Sequence, residues 1–262
     1  MPHLHYHLEG AVAHLVLDNP PQNRIGDQMV DELAEAIAAI GKSSARAVLI
    51  RGEGEHFSFG GDIMPWPGAP TRELRERFEH YMDVFNTFER LPLPVIAAVH
   101  GRCFGGGLEL ATRADVILAS STATFGHPEQ SLGIVTLLGG IYRVAEKAGR
   151  AKASEWAMTS EPVSAETMER HGVVNRVVAD GDLLAEATAF AARVAKGPTR
   201  AYAAHKALLR TWAQGGTAAA DGVMFDIAMP LFETKDVVAG LASAVNALKE
   251  GRPRPVLEFS GH

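Results

Sequence analysis

The chain has 262 residues, of which 47% are hydrophobic and 21% charged, and its formal net charge at pH 7 is −6. This length exceeds the usual size of one domain, so we expect one large domain with an appendage. An acidic balance without a lysine or arginine block argues against nucleic acid as the main partner. The longest apolar run is far too short to cross a bilayer, which argues against a membrane partner.

The chain contains one cysteine, Cys103, which excludes an internal disulfide and is typical of a reducing compartment. No leader with a basic start and an apolar middle is visible. These observations predict a cytoplasmic location. Cys103 has no partnered histidine signature, so we do not interpret it as a nucleophile.

The first predicted element is the stretch HLHYH at positions 3 to 7, which alternates as a strand does. Alternation places His3, His5 and His7 on one face, and three imidazoles could bind a transition metal. No acid or cysteine companion is evident near them. We therefore interpret this segment as an exposed edge strand and predict no metal site.

Strands and helices alternate along the next part of the chain. Apolar residues at helical spacing predict helices at about 27 to 41 and 71 to 91, and the stripe on the second is typical of a core. Short apolar runs predict strands at 14–18, 47–51, 94–99, 115–119 and 173–178. This alternation predicts an α/β core.

The segment GRCFGGGLELATRAD at 101 to 115 is the most informative in the chain. Gly105, Gly106 and Gly107 run into a predicted helix start that carries Glu109. Glycine leaves backbone N–H groups unshielded, and a helix start favours negative charge. Amide donors beside an acid in apolar surroundings suit a reaction that passes through an oxyanion. Taken alone, the same pattern is also typical of an ordinary turn that connects a strand to a helix.

Two further segments strengthen the catalytic interpretation. EHFSFGGDI follows a strand and breaks at Gly60 and Asp62, and the Phe59 N–H is a candidate second donor. TFGHPEQSLGI places a proline directly before a second acid, Glu129. Each segment alone has an ordinary interpretation, the first as a capped loop and the second as a helix start.

Together, FSFGGDI, PVIAAVHGRCFGGGLELA, DVILAS and FGHPEQSLGI, in this order, resemble the enoyl-CoA hydratase/isomerase (crotonase) superfamily. The resemblance extends from about Val12 to about Gly240. It implies an α/β fold with the ββα spiral core of crotonases, which carries the active site, over residues 1–195. It also implies a C-terminal helical trimerisation region over residues 196–262, which covers the site.

The resemblance implies an acyl-CoA enzyme with two catalytic glutamates, because the spacing of Glu109 and Glu129 matches the hydratase branch. Phe59 and Gly106 match the residues whose N–H groups hold the thioester oxygen. The implied reaction is hydration of a 2-enoyl-CoA to a 3-hydroxyacyl-CoA, or the reverse dehydration. Glu129 would then give a proton to the α-carbon while Glu109 holds the water.

Other functions remain open at this point. An enoyl-CoA isomerase, a C–C hydrolase or a decarboxylase could use the same oxyanion site. One branch of the superfamily binds RNA, but the acidic charge and the retained acid pair argue against that role. The acid pair also argues against a catalytically inactive relative.

The expected substrate contacts surround these groups. Arg24 is a candidate partner of the coenzyme phosphates, with a solvated loop arginine as the equal alternative. His127 either polarises the neighbouring acid or serves packing. The full set of expected substrate-binding residues is Arg24, Gly60, Asp62, Met64, Trp66, Gly105, His127, Thr136, Leu137 and Leu138. No tightly bound cofactor is expected, since coenzyme A enters as part of the substrate thioester.

From about Ala195 the sequence becomes helical, with helices predicted at about 199 to 213, 217 to 231 and 235 to 249. Asp236 is a candidate cap of the last helix. No strand follows for these helices to connect. The resemblance implies that they dock on a neighbouring subunit, so we expect a homotrimer or a dimer of trimers.

Overall fold

Nine strands and nine α-helices follow one another in the computed structural model, which describes residues 1–262. The strands are β1 (Leu4–Glu9), β2 (Val12–Leu17), β3 (Ala47–Gly52), β4 (Val95–Val99), β5 (Arg102–Phe104), β6 (Val116–Ser120), β7 (Thr124–Gly126), β8 (Val163–Ser164) and β9 (Arg176–Val178). The helices are α1 (Asp27–Ile40), α2 (Thr71–Glu89), α3 (Gly106–Ala111), α4 (Gly140–Ala148), α5 (Arg150–Thr159), α6 (Ala165–Arg170), α7 (Leu183–Ala195), α8 (Thr199–Ala228) and α9 (Lys235–Lys249). Short 3-10 turns span Pro128–Leu132, Asp180–Asp182 and Met229–Glu233.

The main sheet has six strands in the order β1-β2-β3-β4-β6-β9. Five neighbouring strands of this sheet run parallel to one another, namely β2, β3, β4, β6 and β9. The edge strand β1 runs antiparallel to β2. A second, three-stranded sheet has the order β5-β7-β8. Loops that follow parallel strands gather at one edge of a sheet, and the segments after β3 and β4 both lead to the candidate site.

Helices cover both faces of the main sheet. On one face, α7 buries Ala187 and Ala191 against β3 and its neighbours. The opposite face forms the larger core, where Phe85 and Phe88 of α2 are fully buried. The C-terminal part of the predicted apolar stripe on this helix therefore packs in the core, whereas Phe78 lines the cavity described below. Near-continuous apolar strands such as β4 are needed because both of their faces are covered.

The strand predicted at 173–178 is shorter in the structure and begins at Arg176. The N–H groups of Val173 and Val174 both donate to the carbonyl of Met168, which closes a turn after α6. His3 likewise lies outside β1. No helix combines the length and apolar content needed to cross a membrane.

The C-terminal helices lie where the sequence predicts them, with differences at their ends. Gly216 interrupts α8 with a φ of 71°, at the boundary expected between two helices. The expected cap at Asp236 is wrong, because Thr234 accepts the hydrogen bond from the Val237 N–H. Asp236 instead anchors the C-terminal tail by accepting bonds from the backbone N–H groups of Ser260 and Gly261.

Candidate active site

Glu109 lies in helix α3, which begins directly after the short strand β5. Gly105 makes the turn between them, with a φ of 50° in the left-handed region that favours glycine. A Cβ atom on Gly105 would also lie 2.9 Å from Oε1 of Glu129. Glycine at this position therefore lets the second acid approach the start of the helix.

The backbone N–H groups of Gly61 and Gly106, which lie beside this turn, donate to no acceptor in the protein. Gly106 is the first residue of α3, where the amide has no partner within the helix. A Cβ atom on Gly106 would lie 3.4 Å from the Gly61 nitrogen, so the two amides are neighbours. Gly60 permits this approach, because a Cβ atom there would lie 3.1 Å from the Gly106 nitrogen.

The prediction that Phe59 supplies a free amide is wrong. Its N–H donates to the carbonyl oxygen of Gln22 at 2.9 Å and is not available to a substrate. The Phe59 side chain does line the cavity, but the free amide lies two residues further on, at Gly61. Sequence reasoning missed Gly61 because the acceptor that occupies the Phe59 N–H comes from a distant loop.

The carboxyl group of Glu109 is buried, with only 3% of the residue exposed. Its Oε1 accepts hydrogen bonds from the N–H groups of Leu138 at 2.7 Å and Gly140 at 3.0 Å. Burial raises the pKa of Glu109, and the two backbone donors oppose this rise. Its Oε2 accepts no bond from the protein, which leaves one oxygen of the group for water or substrate.

Glu129 lies in the 3-10 turn after Pro128 and shares the cavity with Glu109. Burial raises its pKa to about 7, and the nearby Glu109 adds to this rise. Its Oε2 is buried without a hydrogen-bond partner. A carboxyl group with this pKa is partly protonated at neutral pH, as a general acid must be.

His127 is buried behind Glu129 and does not line the cavity, so the expected substrate contact is wrong. Its Nδ1 lies 4.0 Å from Oε2 of Glu129, beyond hydrogen-bonding distance, and neither ring nitrogen has a partner. Burial lowers the pKa of His127 to about 4. The ring is therefore neutral at pH 7, and its contact with Glu129 is one of packing.

The acids and free amides line one cavity of about 230 Å³. Several predicted contacts line it as well, namely Arg24, Trp66, Gly105, Leu137 and Leu138. Sequence reasoning missed nine further lining residues besides Gly61, which are Ile25, Ile63, Phe78, Tyr81, Phe104, Pro128, Ser131, Leu132 and Ile134. Most of these side chains are apolar, and apart from Arg24 the lining residues with ionisable carboxyl or basic groups are the two glutamates.

Four other expected contacts do not line the cavity. Met64 is 82% exposed on the surface. The Thr136 hydroxyl accepts a bond from the N–H of Ile141 in the first turn of α4. Asp62 accepts a bond from the Met64 N–H and closes its own loop, and Gly60 acts by letting the two glycine turns meet.

Arg113 supports the loop that holds Glu109, and sequence reasoning missed it. Its side chain is fully buried, and its Nη2 donates to the carbonyl of Leu138 at 2.6 Å. Glu89 accepts bonds from both Arg113 and Arg143. The backbone of Leu138 thus accepts a bond from Arg113 and donates one to Glu109, which connects the buried ion pair to the acid.

Cys103 is fully buried in β5, and burial raises the pKa of its thiol well above the usual value. A buried thiol with a raised pKa is a poor nucleophile. Cys103 therefore packs in the core and is not placed to act as a nucleophile.

The fold and the site define a class of enzyme, because two buried acids and two free amides lie around one apolar cavity. Such a site suits a carbonyl compound whose oxygen becomes negative during the reaction. Residues 7–249 match the family described as enoyl-CoA hydratase/isomerase. The chain belongs to this family, and the resemblance inferred from its sequence segments is confirmed.

Individual relatives agree with this assignment. The chain is 31% identical, over 247 residues, to a probable enoyl-CoA hydratase of Bacillus subtilis (strain 168), covering 91% of this chain and 93% of the relative. It is 36% identical, over 213 residues, to a carnitinyl-CoA dehydratase of Escherichia coli (strain SMS-3-5 / SECEC), covering 79% and 80% of the two chains. A crystal structure of enoyl-CoA hydratase from Mycobacterium smegmatis matches with a TM-score of 0.87 and 28% identity, covering 97% of this chain and 99% of that chain. The predicted crotonase-type α/β fold with a C-terminal helical region is confirmed.

Proposed function

We propose that this chain hydrates a 2-enoyl-CoA to a 3-hydroxyacyl-CoA, or runs the reverse dehydration. The observation that carries this proposal is the convergence of Glu109, Glu129 and the free amides of Gly61 and Gly106 on one cavity. The names of the similar hydratases and dehydratases point to the same chemistry. Coenzyme A enters with the substrate, and the proposal includes no tightly bound cofactor.

The two amides would hold the thioester oxygen. Addition at the β-carbon of a conjugated thioester moves negative charge onto this oxygen and gives an enolate. The Gly61 and Gly106 N–H groups have no other acceptor and are fixed by the backbone, so they need no rearrangement to stabilise that charge. Loss of one such donor typically costs about 3 kcal/mol in the barrier.

The acids would divide the proton transfers between them. Glu109, held by two backbone donors on Oε1, orients a water and takes its proton as the oxygen adds to the β-carbon. Glu129, with its pKa raised to about 7, gives its proton to the α-carbon of the enolate. One water is consumed in this direction, the proton taken by Glu109 returns to Glu129 through solvent before the next turnover, and dehydration reverses each transfer.

Hydration should slow as the pH rises through neutrality. The proposed acid, Glu129, must be protonated, and its pKa of about 7 means that this form is lost above pH 7. We expect kcat/KM for hydration to fall about tenfold for each pH unit on the alkaline side. Initial rates on a 2-enoyl-CoA across neutral pH measure this effect.

The matched control for the pH profile is Glu129→Gln, whose residual activity should lose the alkaline decline. A decline of the same shape in that variant would assign the titration to another group. A flat profile in the unchanged protein would contradict the role of Glu129 as the acid. Because Glu109 and Glu129 interact, the apparent pKa values obtained from the pH profile belong to the pair of acids and not to one residue.

The acyl chain would lie against the apolar wall formed by Trp66, Leu137 and Leu138. Arg24 lies at the same cavity, where it donates to the Gly61 carbonyl at 3.3 Å and to the Gln22 side chain. Its remaining N–H groups are candidates for a coenzyme phosphate. An enoyl-CoA isomerase, C–C hydrolase or decarboxylase is the second candidate function, because the same amides would stabilise its enolate.

We propose that the C-terminal helices bind a neighbouring subunit in a cytoplasmic homotrimer or a dimer of trimers. Large apolar side chains on α8, the following turn and α9 are exposed, namely Leu209, Trp212, Phe225, Met229, Phe232, Val238, Leu241, Val245 and Leu248. An apolar surface of this kind is typical of a subunit interface. Light scattering should give three or six times the chain mass of 28.0 kDa, and a monomer would contradict the proposal.

A further inference from the structure

The edge hairpin formed by β1 and β2 carries a cluster of metal-ligating side chains. His7 of β1 pairs directly with His14 of β2 in the antiparallel register. Glu9 lies two residues after His7, so strand alternation places its side chain on the same face. No acid companion of the N-terminal histidines is evident from the sequence pattern, whereas the fold supplies both an acid and a further histidine.

The side-chain geometry brings the three groups together. One ligand atom from each of His7, Glu9 and His14 lies within 4.8 Å of the others. The two imidazole rings stack with their centroids 4.7 Å apart. Oε2 of Glu9 lies 3.7 Å from Nε2 of His14.

We propose that His7, Glu9 and His14 form a binding site for a divalent transition-metal ion of the zinc type. Two imidazoles and one carboxylate suit Zn²⁺, Ni²⁺ or Cu²⁺, whereas Mg²⁺ and Ca²⁺ prefer ligand sets made of oxygen alone. Ligand bonds of about 2.1 Å around a tetrahedral ion separate the donor atoms by roughly 3.4 Å. The distances between the ligand atoms of the three side chains therefore need to shorten by about 1 Å. A water molecule would supply the fourth ligand of the ion.

The exposure of each group fits this closure. The His14 side chain is only 8% exposed and is fixed in the sheet, while the Glu9 side chain is 74% exposed and free to move. His7 is also exposed, so an ion can enter from solvent.

The site is separate from the proposed active site, because none of its three residues lines that cavity. A bound ion would connect the edge strand β1 to β2 near the hairpin turn. Binding to the folded chain alone stabilises it in proportion to the logarithm of the metal concentration. The expected role is therefore structural, and basal catalysis should not depend on it.

The test uses the untagged full chain freed of metal, titrated with ZnCl₂ by calorimetry and followed by thermal unfolding with and without zinc. We expect about one Zn²⁺ per chain and a rise in Tm that MgCl₂ does not produce. His7→Ala and Glu9→Gln should each weaken binding by about tenfold or more, and both change exposed side chains that leave the core intact. The matched control is His5→Ala, since His5 is exposed on the same strand but already bonds Asp18 at 2.9 Å.

Retained binding in His5→Ala together with its loss in His7→Ala would support the site. Absence of zinc binding by the unchanged chain would overturn it. Equal affinity in His7→Ala and the unchanged chain would also overturn it, because the ion would then lie elsewhere. An equal loss in His5→Ala and His7→Ala would contradict the assignment to this particular trio.

Discussion

Replacing Glu129 by glutamine should lower kcat for hydration of a 2-enoyl-CoA by about 10²- to 10⁴-fold. Glutamine has nearly the same shape but cannot give up a carboxyl proton. The Glu129 Oε2 has no hydrogen-bond partner in the protein, so the substitution breaks no bond made by this atom. The free energy of unfolding should therefore change little, and the loss of rate reflects the lost proton transfer.

Glu109→Gln is the companion variant, because it separates hydration from other enolate chemistry. A hydratase needs both acids, so its kcat should fall by a similar factor in Glu109→Gln and in Glu129→Gln. An isomerase moves a proton between two carbons and can use one acid, so it would respond strongly to one substitution only. Full activity in Glu109→Gln would contradict a water-activating role for this residue.

Replacing Arg113 by methionine should destabilise the chain by about 1 to 3 kcal/mol, because the buried carbonyl of Leu138 loses its donor while Glu89 keeps Arg143 as a partner. The Arg113 side chain is fully buried and pairs with Glu89 at 3.0 Å. Burial lowers its pKa to about 10, so the group is still charged at neutral pH. Denaturant unfolding of the variant measures the change in stability.

Arg113→Met should also lower kcat in the fraction that stays folded. Arg113 holds the carbonyl of Leu138, whose N–H binds Glu109, and so it acts as a positioning residue for that acid. Asn86→Ala is the matched control, because the Asn86 side chain also accepts a bond from Arg113 but forms no hydrogen bond with the loop that holds Glu109. An equal loss of kcat in both variants would contradict the positioning role and leave a purely structural one.

The sequence predicts the elements whose signals are local. The apolar stripe of α2 and the glycine turn before α3 both follow from short-range spacing, and the structure has them where expected. The two acids follow from local signals as well, because each lies in a segment that carries glycine or proline close to a glutamate. The structure brings Glu109 and Glu129 to one cavity as the family resemblance implies.

Contacts between distant segments could not be predicted in this way. The N–H of Phe59 donates to the carbonyl of Gln22, whereas the N–H of Gly61 has no acceptor. Gln22 lies in a loop that is distant in sequence, so the sequence pattern does not show which of the two N–H groups is free. Arg113 has the sequence neighbourhood of an ordinary surface arginine, yet it is buried because α2 and the loop before α4 enclose it. Met64 and Thr136 are close in sequence to residues that line the cavity, but Met64 is exposed and the Thr136 hydroxyl accepts a bond from the Ile141 N–H.

The cluster of His7, Glu9 and His14 also depends on a contact between two strands that the sequence pattern does not predict. His3, His5 and His7 share a strand pattern that is visible in the sequence, but only His7 belongs to the cluster. Its partner His14 lies on the next strand, and only the hairpin register brings the two rings together. Register is set by the turn and by which face is buried, so a single-strand pattern does not reveal it.

The most direct test of the proposed chemistry follows the oxygen atom of water. A panel of 2-enoyl-CoA thioesters that differ in acyl length, branching and aromatic substitution is incubated with the chain in water enriched in ¹⁸O. For at least one thioester we expect loss of the conjugated absorbance and a product heavier by one molecule of labelled water. Unlabelled products of unchanged mass, or no conversion of any thioester, would contradict hydration by this site.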